Sequence, residues 1–184
     1  ASWIPEGSEG RAEEATVQPA RLVEGHRVEA LPVGEPEAWP DTVAFLDGTQ
    51  RYEIVAYVGT APILVADIAA AVRERRGRRL RTVAEARRTL AIGRPAALDA
   101  AAPALDGYEA LPLSEEKGVH PVQDFQAARK LVDAARGRLE VTLGEAYRRD
   151  APGWLVVDGS LAESTIWAAD ARTIGISKSH STLP

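Results

Sequence analysis

Apolar and polar residues alternate along short stretches in the first half of the chain. Residues 42–46 are almost entirely apolar, and residues 52–59 place apolar side chains at every second position. Residues 63–66 are apolar again after a Gly-Thr-Ala-Pro sequence that is typical of a turn. These segments predict three strands of an antiparallel meander. The third strand is expected to run into a helix over residues 67–76.

A long helical pattern dominates the second half of the chain. Over residues 121–149 the apolar positions step by three or four, and Pro121 suits a first helical turn. Residues 154–157 are wholly apolar, which is typical of a central strand covered on both faces. Shorter segments predict three more strands at residues 108–113, 166–169 and 173–177, and a loop at residues 91–106. This order predicts an α/β fold with a mixed sheet and flanking helices.

The start of the chain has a different character. Residues 1–40 are rich in Glu, Gly and Pro, so they predict an N-terminal arm that leads into a core at residues 41–184. Within the arm only residues 27–33 alternate enough to form a strand, and Pro32 favours an edge position for it. The sequence has no methionine and stops directly after a strand-like segment. We therefore expect the core to lack its C-terminal part.

Composition narrows the classes of function. The 184 residues carry 22 basic and 27 acidic side chains, and this balance argues against a protein that coats nucleic acid by bulk charge. With no cysteine and only three scattered histidines, thiolate sites and histidine-built metal cages drop out. The longest apolar stretch is too short to span a membrane, and no secretion signal is visible. We expect a soluble cytoplasmic protein.

One motif occurs twice: an apolar run followed by Asp, Gly and a hydroxyl residue. The two copies are Asp47-Gly48-Thr49 and Asp158-Gly159-Ser160. Each presents a carboxylate at the end of a predicted strand. Two such strands side by side would hold both carboxylates near one hard cation, such as Mg²⁺ or Mn²⁺. For Asp47, which has a predicted strand on either side, a plain hairpin turn is an equally good explanation.

A third acid would complete such a site, and the long helix offers several. Glu140 directly follows Leu139, which belongs to the buried stripe, so Glu140 lies at the border of that stripe. Asp124 and Glu145 are better explained as solvated charges. Most helical glutamates are surface residues, so the helical pattern alone does not assign Glu140 to a site.

Four short motifs follow one another between residues 42 and 180. They are Leu46-Asp47-Gly48-Thr49-Gln50-Arg51, Arg136-x-x-x-Glu140, Leu155-Val156-Val157-Asp158-Gly159-Ser160-Leu161 and Ile174-Gly175-Ile176-Ser177-Lys178-Ser179. In order and spacing they resemble the NurA family of DNA-end-processing nucleases. The resemblance implies an RNase H-like core that depends on Mn²⁺ or Mg²⁺.

The resemblance also implies site residues, carried over position by position. The catalytic residues would be Asp47, Glu140, Asp158 and Lys178, with the three acids as metal ligands. Nucleic-acid contacts would fall on Arg51, Ser160 and Lys178. The sequence departs from the family in two ways. Thr49 replaces the more frequent Ser, and the family's C-terminal half, which adds another acid or histidine to the site, has no counterpart here.

The activity and partners that follow are those of the family. The resemblance implies a DNA nuclease, acting as a 5′–3′ exonuclease and single-strand endonuclease in DNA end resection and double-strand-break repair. NurA nucleases act as dimers with a hexameric HerA-type ATPase. A homodimer, that ATPase and DNA are therefore the expected partners.

Arginines are concentrated in residues 73–88, which hold eight of them and only two glutamates. We expect this segment to contact DNA phosphates, through Arg78, Arg79 and Arg81 in particular. The alternative is a solvated face without a ligand. The tryptophans at positions 39, 154 and 167 are better explained as core or interface anchors than as base-stacking residues.

Two other classes of function remain open. The first is a non-catalytic RNase H-like subunit that binds a partner within a DNA-translocase complex. The second is a sugar-kinase or actin-like domain, in which Asp-Gly-Thr would bind a nucleotide phosphate. That class requires glycine-rich phosphate loops further along, and the sequence has none.

Overall fold

The computed structural model describes residues 34–35, 42–114 and 120–176. The strand expected at residues 27–33 lies outside this part of the chain, and so does Lys178.

Six strands form a single sheet. They belong to the unit Trp39–Ile176, whereas the second unit, Ala1–Ala38 with Ser177–Pro184, is described only at residues 34 and 35. The strands are β1 (Val43–Val58), β2 (Ala61–Arg76), β3 (Arg79–Gly93), β4 (Glu109–Pro112), β5 (Trp154–Asp158) and β6 (Thr173–Ile176). Their order across the sheet is β4-β3-β2-β1-β5-β6.

Three helices accompany the sheet. They are α1 (Pro95–Ala101), α2 (Pro121–Asp150) and α3 (Thr165–Ala169), with short 3₁₀ turns at Ala102–Ala104 and Leu161–Glu163. No helix in the described part of the chain is long and apolar enough to cross a membrane.

The strand directions define the fold class. β1, β2 and β3 form an antiparallel meander, and β5 and β6 are added on the other side of β1, both parallel to it. The long helix α2 makes the crossover from the meander side to β5. A meander, a helix and then parallel strands beside the first is the topology of an RNase H-like core. The α/β mixed sheet with flanking helices that the sequence predicts is confirmed.

The first predicted turn is wrong, because Asp47-Gly48 lies inside one continuous strand. Residues 42–46 and 52–59 were expected as separate strands, but β1 runs unbroken from Val43 to Val58. β2 offers a partner for this whole length, and Gly48 lies opposite Ala70. Because this whole stretch is paired with β2, no hairpin forms there, and the Gly48 backbone N–H donates to the Asp47 carboxylate at 2.9 Å.

The helix expected at residues 67–76 is also wrong. This segment is the second half of β2, in which Ala66, Ile68, Ala70 and Val72 are buried at every second position. β2 pairs with β1 on one side and with β3 on the other along its length. These paired backbone groups outweigh the good helix propensity of alanine and arginine.

The remaining elements follow the sequence more closely. α2, β4, β5 and β6 occur where they were expected. Residues 91–106 were expected as a loop but contain the end of β3 and helix α1, which begins at Pro95. Residues 166–169 form α3 rather than a strand, because Ser164 caps the helix by accepting a hydrogen bond from the Trp167 backbone N–H at 3.3 Å.

The main core lies between α2 and one face of the sheet. Its buried residues come from both layers: Leu64, Ala66, Ile68, Leu90, Ile92, Leu113, Ala128, Val132 and Ala135. A second cluster joins the C-terminal half of α2 to β1, β5 and α3, and Trp167 is its largest member. Trp167 is thus a core anchor, as the sequence predicts.

Ion pairs hold α2 at both ends. Asp124 in its first turn binds the Arg94 guanidinium at 2.7 Å and is 6% exposed, so it is not the solvated charge that was expected. Arg148 in its last turn binds Asp170 at 2.7 Å and donates to the Gly153 carbonyl at 2.5 Å. Arg94 directly follows β3, and Asp170 lies between α3 and β6, so both pairs fix the position of α2 along the sheet.

Gly144 allows α2 to pack closely on its neighbours. A Cβ at this position would lie 2.6 Å from the Trp167 ring and 2.7 Å from a Leu46 methyl group. Gly144→Ala should therefore lower the free energy of unfolding by about 1–3 kcal/mol through overpacking. Urea denaturation followed by circular dichroism measures this.

Gly137 on the same helix provides the matched control. A Cβ there would meet nothing within 4 Å. Gly137→Ala should stabilise the protein by about 0.5–1 kcal/mol, because alanine restricts the unfolded chain and favours the helix. Equal effects of the two substitutions would contradict the packing assigned to Gly144.

Candidate functional site

Asp47 and Asp158 lie on neighbouring parallel strands. The β1–β5 register pairs Leu46 with Val157, and the two aspartates come directly after this pair. Strands that are neighbours in a sheet are about 4.8 Å apart, so the two residues start from adjacent backbone positions. β5 ends at Asp158, and both carboxylates are exposed. The two copies of the Asp-Gly motif therefore lie next to each other in the sheet.

Glu140 approaches the same point from α2. Its carboxylate lies so close to the Gly48 Cα that a Cβ there would overlap with Glu140 Oε1. The glycine of the first motif therefore provides room for this side chain rather than for a hairpin turn. Among the acids of α2, Glu140 is the one that contacts the Asp-Gly motif.

The other acids of α2 are engaged elsewhere. Asp133 accepts a hydrogen bond from Gln50 Nε2 at 2.6 Å, and Glu145 accepts one from the Ser164 hydroxyl at 2.6 Å. Glu145 is thus a bonded, half-buried residue and not the solvated charge that was expected.

A polar network positions Glu140. Arg136, one helical turn earlier, forms an ion pair with Glu140, and its Nε donates to Gln50 Oε1 at 3.1 Å. Gln50 in turn donates to Asp133. This chain of contacts links the strand that carries Asp47 to the helix that carries Glu140.

The electrostatic environment couples the three acids. Burial raises the pKa of Glu140, and the negative charges of Asp47 and Asp158 raise it further, whereas Arg136 opposes the shift. The Glu140 side chain is only 16% exposed. A carboxyl group of this kind holds a proton more readily than an ordinary glutamate does.

The three acids do not all face the same space. Glu140 and Asp158 line a cleft of about 670 Å³ between α2 and the end of β5, together with Arg136, Ser160 and Glu163. Asp47 follows the alternation of β1 and faces away from α2. It lines a groove of about 520 Å³ with Phe45, Arg73 and Arg87. Within residues 42–114 and 120–176, no three acidic or histidine side chains converge closely enough to hold a metal ion.

The expected nucleic-acid contacts are spread over several places. Arg51 is exposed on the same face as Asp47, opposite Asp67 on β2. Ser160 accepts a hydrogen bond from the Ala162 backbone N–H at 3.1 Å, so its hydroxyl caps the short turn that follows β5. Arg78, Arg79 and Arg81 are exposed at the tip of the β2–β3 hairpin.

Several residues of this region were not singled out from the sequence. Phe45, Arg73 and Arg87 share the groove with Asp47, and Gln50 connects Arg136 to β1. The available signal was alternation through the motif, which puts residues 45, 47 and 49 on one face of a strand. Predicting one continuous strand through Asp47-Gly48 would have shown that Phe45 and Asp47 lie on the same face of the sheet.

Comparison with known proteins gives a structural likeness but no sequence match. No protein-family model matches the chain, and no curated protein sequence does either. The fold is similar to the crystal structure of the NurA nuclease from Sulfolobus solfataricus, at 14% sequence identity and a TM-score of 0.41. The similar region covers 67% of this chain and 28% of that chain. The functional argument therefore depends on the residues themselves.

Substituting Glu140 should reveal its raised pKa as a change in stability. The unfolded chain releases this proton near pH 4.5, whereas the native state releases it at higher pH, so the wild type loses stability as pH rises between these two values. Glu140→Gln removes that loss. The variant should therefore gain stability relative to the wild type from pH 4 to pH 8, as measured by urea denaturation.

Glu145→Gln is the control for this measurement, because it removes one negative charge from the same helix at a different contact. A stability difference between Glu140→Gln and the wild type that does not change with pH would contradict the electrostatic coupling of the three acids.

Proposed function

We propose that this chain is the RNase H-like nuclease region of a metal-dependent DNA nuclease of the NurA type. The observation that carries the proposal is the electrostatic coupling of Glu140, which lies against Gly48, to Asp47 and Asp158 on neighbouring strands. The order and spacing of the four sequence motifs support it. Phosphodiester hydrolysis by such a group of carboxylates is the reaction that these residue types favour.

The three side chains are carboxylates, and hard cations such as Mn²⁺ and Mg²⁺ prefer oxygen ligands. The ligand type therefore suits either ion. Asp47, Glu140 and Asp158 are the residues that would hold it. Such an ion would supply Lewis-acid chemistry there, activating a water and stabilising the leaving oxygen. Because Arg136 already pairs with Glu140, binding at that carboxylate would compete with an existing ion pair.

The roles of the protein groups follow from their surroundings. Glu140, with its raised pKa and low exposure, is suited to accept a proton from an attacking water. Arg136 and Gln50 orient it. Lys178 is retained in the proposal as a positive charge for the scissile phosphate, and the arginines of residues 73–88 as contacts for the rest of the backbone.

The biological part of the proposal follows the family resemblance. We assign to the chain 5′–3′ exonuclease and single-strand endonuclease activity in DNA end resection and double-strand-break repair. A second copy of the chain and a hexameric HerA-type ATPase are the proposed partners. A cytoplasmic location belongs to the same proposal.

A second candidate is a non-catalytic subunit with the same fold that binds a partner in a DNA-translocase complex. The observation that favours it is that the three acids line two different spaces and, within the described residues, do not converge into a metal site. This subunit would bind DNA or its partner without cleaving DNA.

Cleavage of an end-labelled single-stranded oligonucleotide separates the two candidates. The wild type should cleave with Mn²⁺ or Mg²⁺ and not with EDTA. Asp47→Asn, Glu140→Gln and Asp158→Asn should each lower the rate about 100-fold or more, because each removes a charge worth several kcal/mol in the transition state.

Glu145→Gln should retain the wild-type rate, since Glu145 is bonded to Ser164 and not to the Asp-Gly motif. Folded wild-type protein that binds DNA but cleaves none with either metal would support the non-catalytic candidate. Cleavage that survives all three acid substitutions would reject this assignment of the site.

Gly48→Ala tests the close approach of Glu140 to β1. The added methyl group would overlap with Glu140 Oε1, so the carboxylate must move away from the two aspartates. Activity should fall about 100-fold or more. The free energy of unfolding should change by less than about 1.5 kcal/mol, because only the end of one side chain is displaced. Wild-type activity in this variant would contradict the role of the glycine.

A further inference from the structure

Among the described residues, the face of the sheet opposite to α2 is only partly covered. The residues that alternate with the core positions of β1, β2 and β3 point to this face. Helix α1 covers one end of it, through Ala97 and Leu98 against Ile63 and Ala91. Near Asp47 the described residues leave it open. We call this region the open sheet face and define it by Phe45, Asp47, Arg73, Leu80 and Arg87, which line one groove.

The open sheet face presents an accessible aromatic ring. Phe45 is 39% exposed, although it lies in the middle of a six-stranded sheet. It also borders a second depression, with Arg75 and Ile176, on the same face. An exposed phenyl ring on a sheet is a platform on which a nucleic-acid base can stack.

Arginines lie beside this ring, in a groove that Glu85 also lines. Arg73 lies directly opposite Phe45 in the β1–β2 register, and Arg87 lines the same groove. Arg73, Arg75 and Arg87 are exposed and have no acidic partner among the described residues. By contrast, Arg76 and Arg88 of the same hairpin pair with Glu74 and Glu109.

The hairpin therefore has two different sides. Glu74 bonds to Tyr147 of α2, and the register places Arg81 opposite Glu74 and Arg79 opposite Arg76. Arg79 and Arg81 thus belong to the side that faces α2, whereas Arg73 and Arg87 belong to the side that carries Asp47. The groove that holds the candidate catalytic aspartate thus contains two arginines available to phosphates, Arg73 and Arg87, together with a second acid, Glu85.

The spacing along β1 matches an extended nucleic-acid strand. Phe45 and Asp47 are two residues apart on one face, which is about 6.7 Å along a strand. This is comparable to one nucleotide of an extended single strand. A base stacked on Phe45 would therefore bring the adjoining phosphodiester to Asp47.

We propose that the open sheet face binds single-stranded nucleic acid, with a base stacked on Phe45 and phosphates bound by Arg73 and Arg87. The proposal rests on the proposed nuclease function and adds to it the surface by which the strand enters. A single strand fits better than a duplex, because duplex bases are already stacked and cannot reach Phe45. Within the arginine-rich segment 73–88, this proposal puts the phosphate contacts at Arg73 and Arg87 and not at Arg79 and Arg81.

Binding of a fluorescein-labelled oligothymidylate, measured by fluorescence anisotropy in EDTA, tests this without cleavage. Phe45→Ala should weaken binding about tenfold or more, and Phe45→Tyr should retain it because the ring is kept. Tyr57→Ala is the matched control, since Tyr57 is 59% exposed at the far end of β1. It should bind like the wild type.

The arginines are tested as two matched pairs. Arg73→Gln with Arg87→Gln should lower the log–log salt slope by about 1.4, at about 0.7 for each phosphate contact in a single strand. Arg79→Gln with Arg81→Gln removes the same charge from the other side of the hairpin and should leave the slope unchanged. Circular dichroism checks that every variant is folded.

Four outcomes overturn the proposal. They are a wild type that binds no oligonucleotide, wild-type affinity in Phe45→Ala, equal effects of the two arginine pairs, and tighter binding of a duplex than of the single strand. A fifth is a wild-type dimer in sedimentation that Phe45→Ala dissociates with no loss of oligonucleotide affinity, because the face would then be covered by a second copy.

The binding surface and the nuclease function fail in different ways. If binding depends on Phe45 but no metal-dependent cleavage occurs, the binding surface is supported and the nuclease function is rejected. If cleavage depends on Asp47, Glu140 and Asp158 but binding does not depend on Phe45, the nuclease function is supported and the binding surface is rejected.

Discussion

The close approach of α2 to β1 is the constraint on which the rest of the structure depends. Each element carries a glycine where the two meet. At Gly144 the helix rests on Leu46 and Trp167, and at Gly48 the strand receives the Glu140 carboxylate. A Cβ at either glycine would overlap with those side chains, so the separation of helix and sheet is set by the absence of two methyl groups. The ion pairs at the two ends of the helix then keep Glu140 at one position along β1.

Elements whose conformation is determined by neighbouring residues in the chain were predicted from the sequence, whereas those determined by distant partners were not. The helix over residues 121–149 has its own periodicity and its own start signal at Pro121, so α2 was predictable without its neighbours. β2 was only half predicted, because residues 67–76 are rich in alanine and arginine, which favour a helix in isolation. Their strand conformation comes from pairing with β1 and β3 at once. Those partners are distant in the chain, so no local pattern contains the information.

The candidate site divides in the same way. The nearness of Asp47 and Asp158 was predictable, because both end apolar runs that belong to neighbouring strands. The contact of Glu140 with β1 required the family resemblance, since its helical position alone was ambiguous. The face on which Asp47 lies was missed. A hairpin at Asp47-Gly48 would have ended the strand, whereas the continuous β1 turns Asp47 away from α2 together with Phe45.

Stability alone does not account for this arrangement of charges. Burial raises the pKa of Glu140, and repulsion by the negative charges of Asp47 and Asp158 raises it further. Arg136 is the cation that opposes this repulsion, and it is held in place by Gln50. Neutral side chains at the same positions would remove the repulsion. A half-buried carboxyl group whose pKa is raised partly by two nearby acids is typical of a functional site, and this is the physical reason to treat Glu140, Asp47 and Asp158 as a candidate centre.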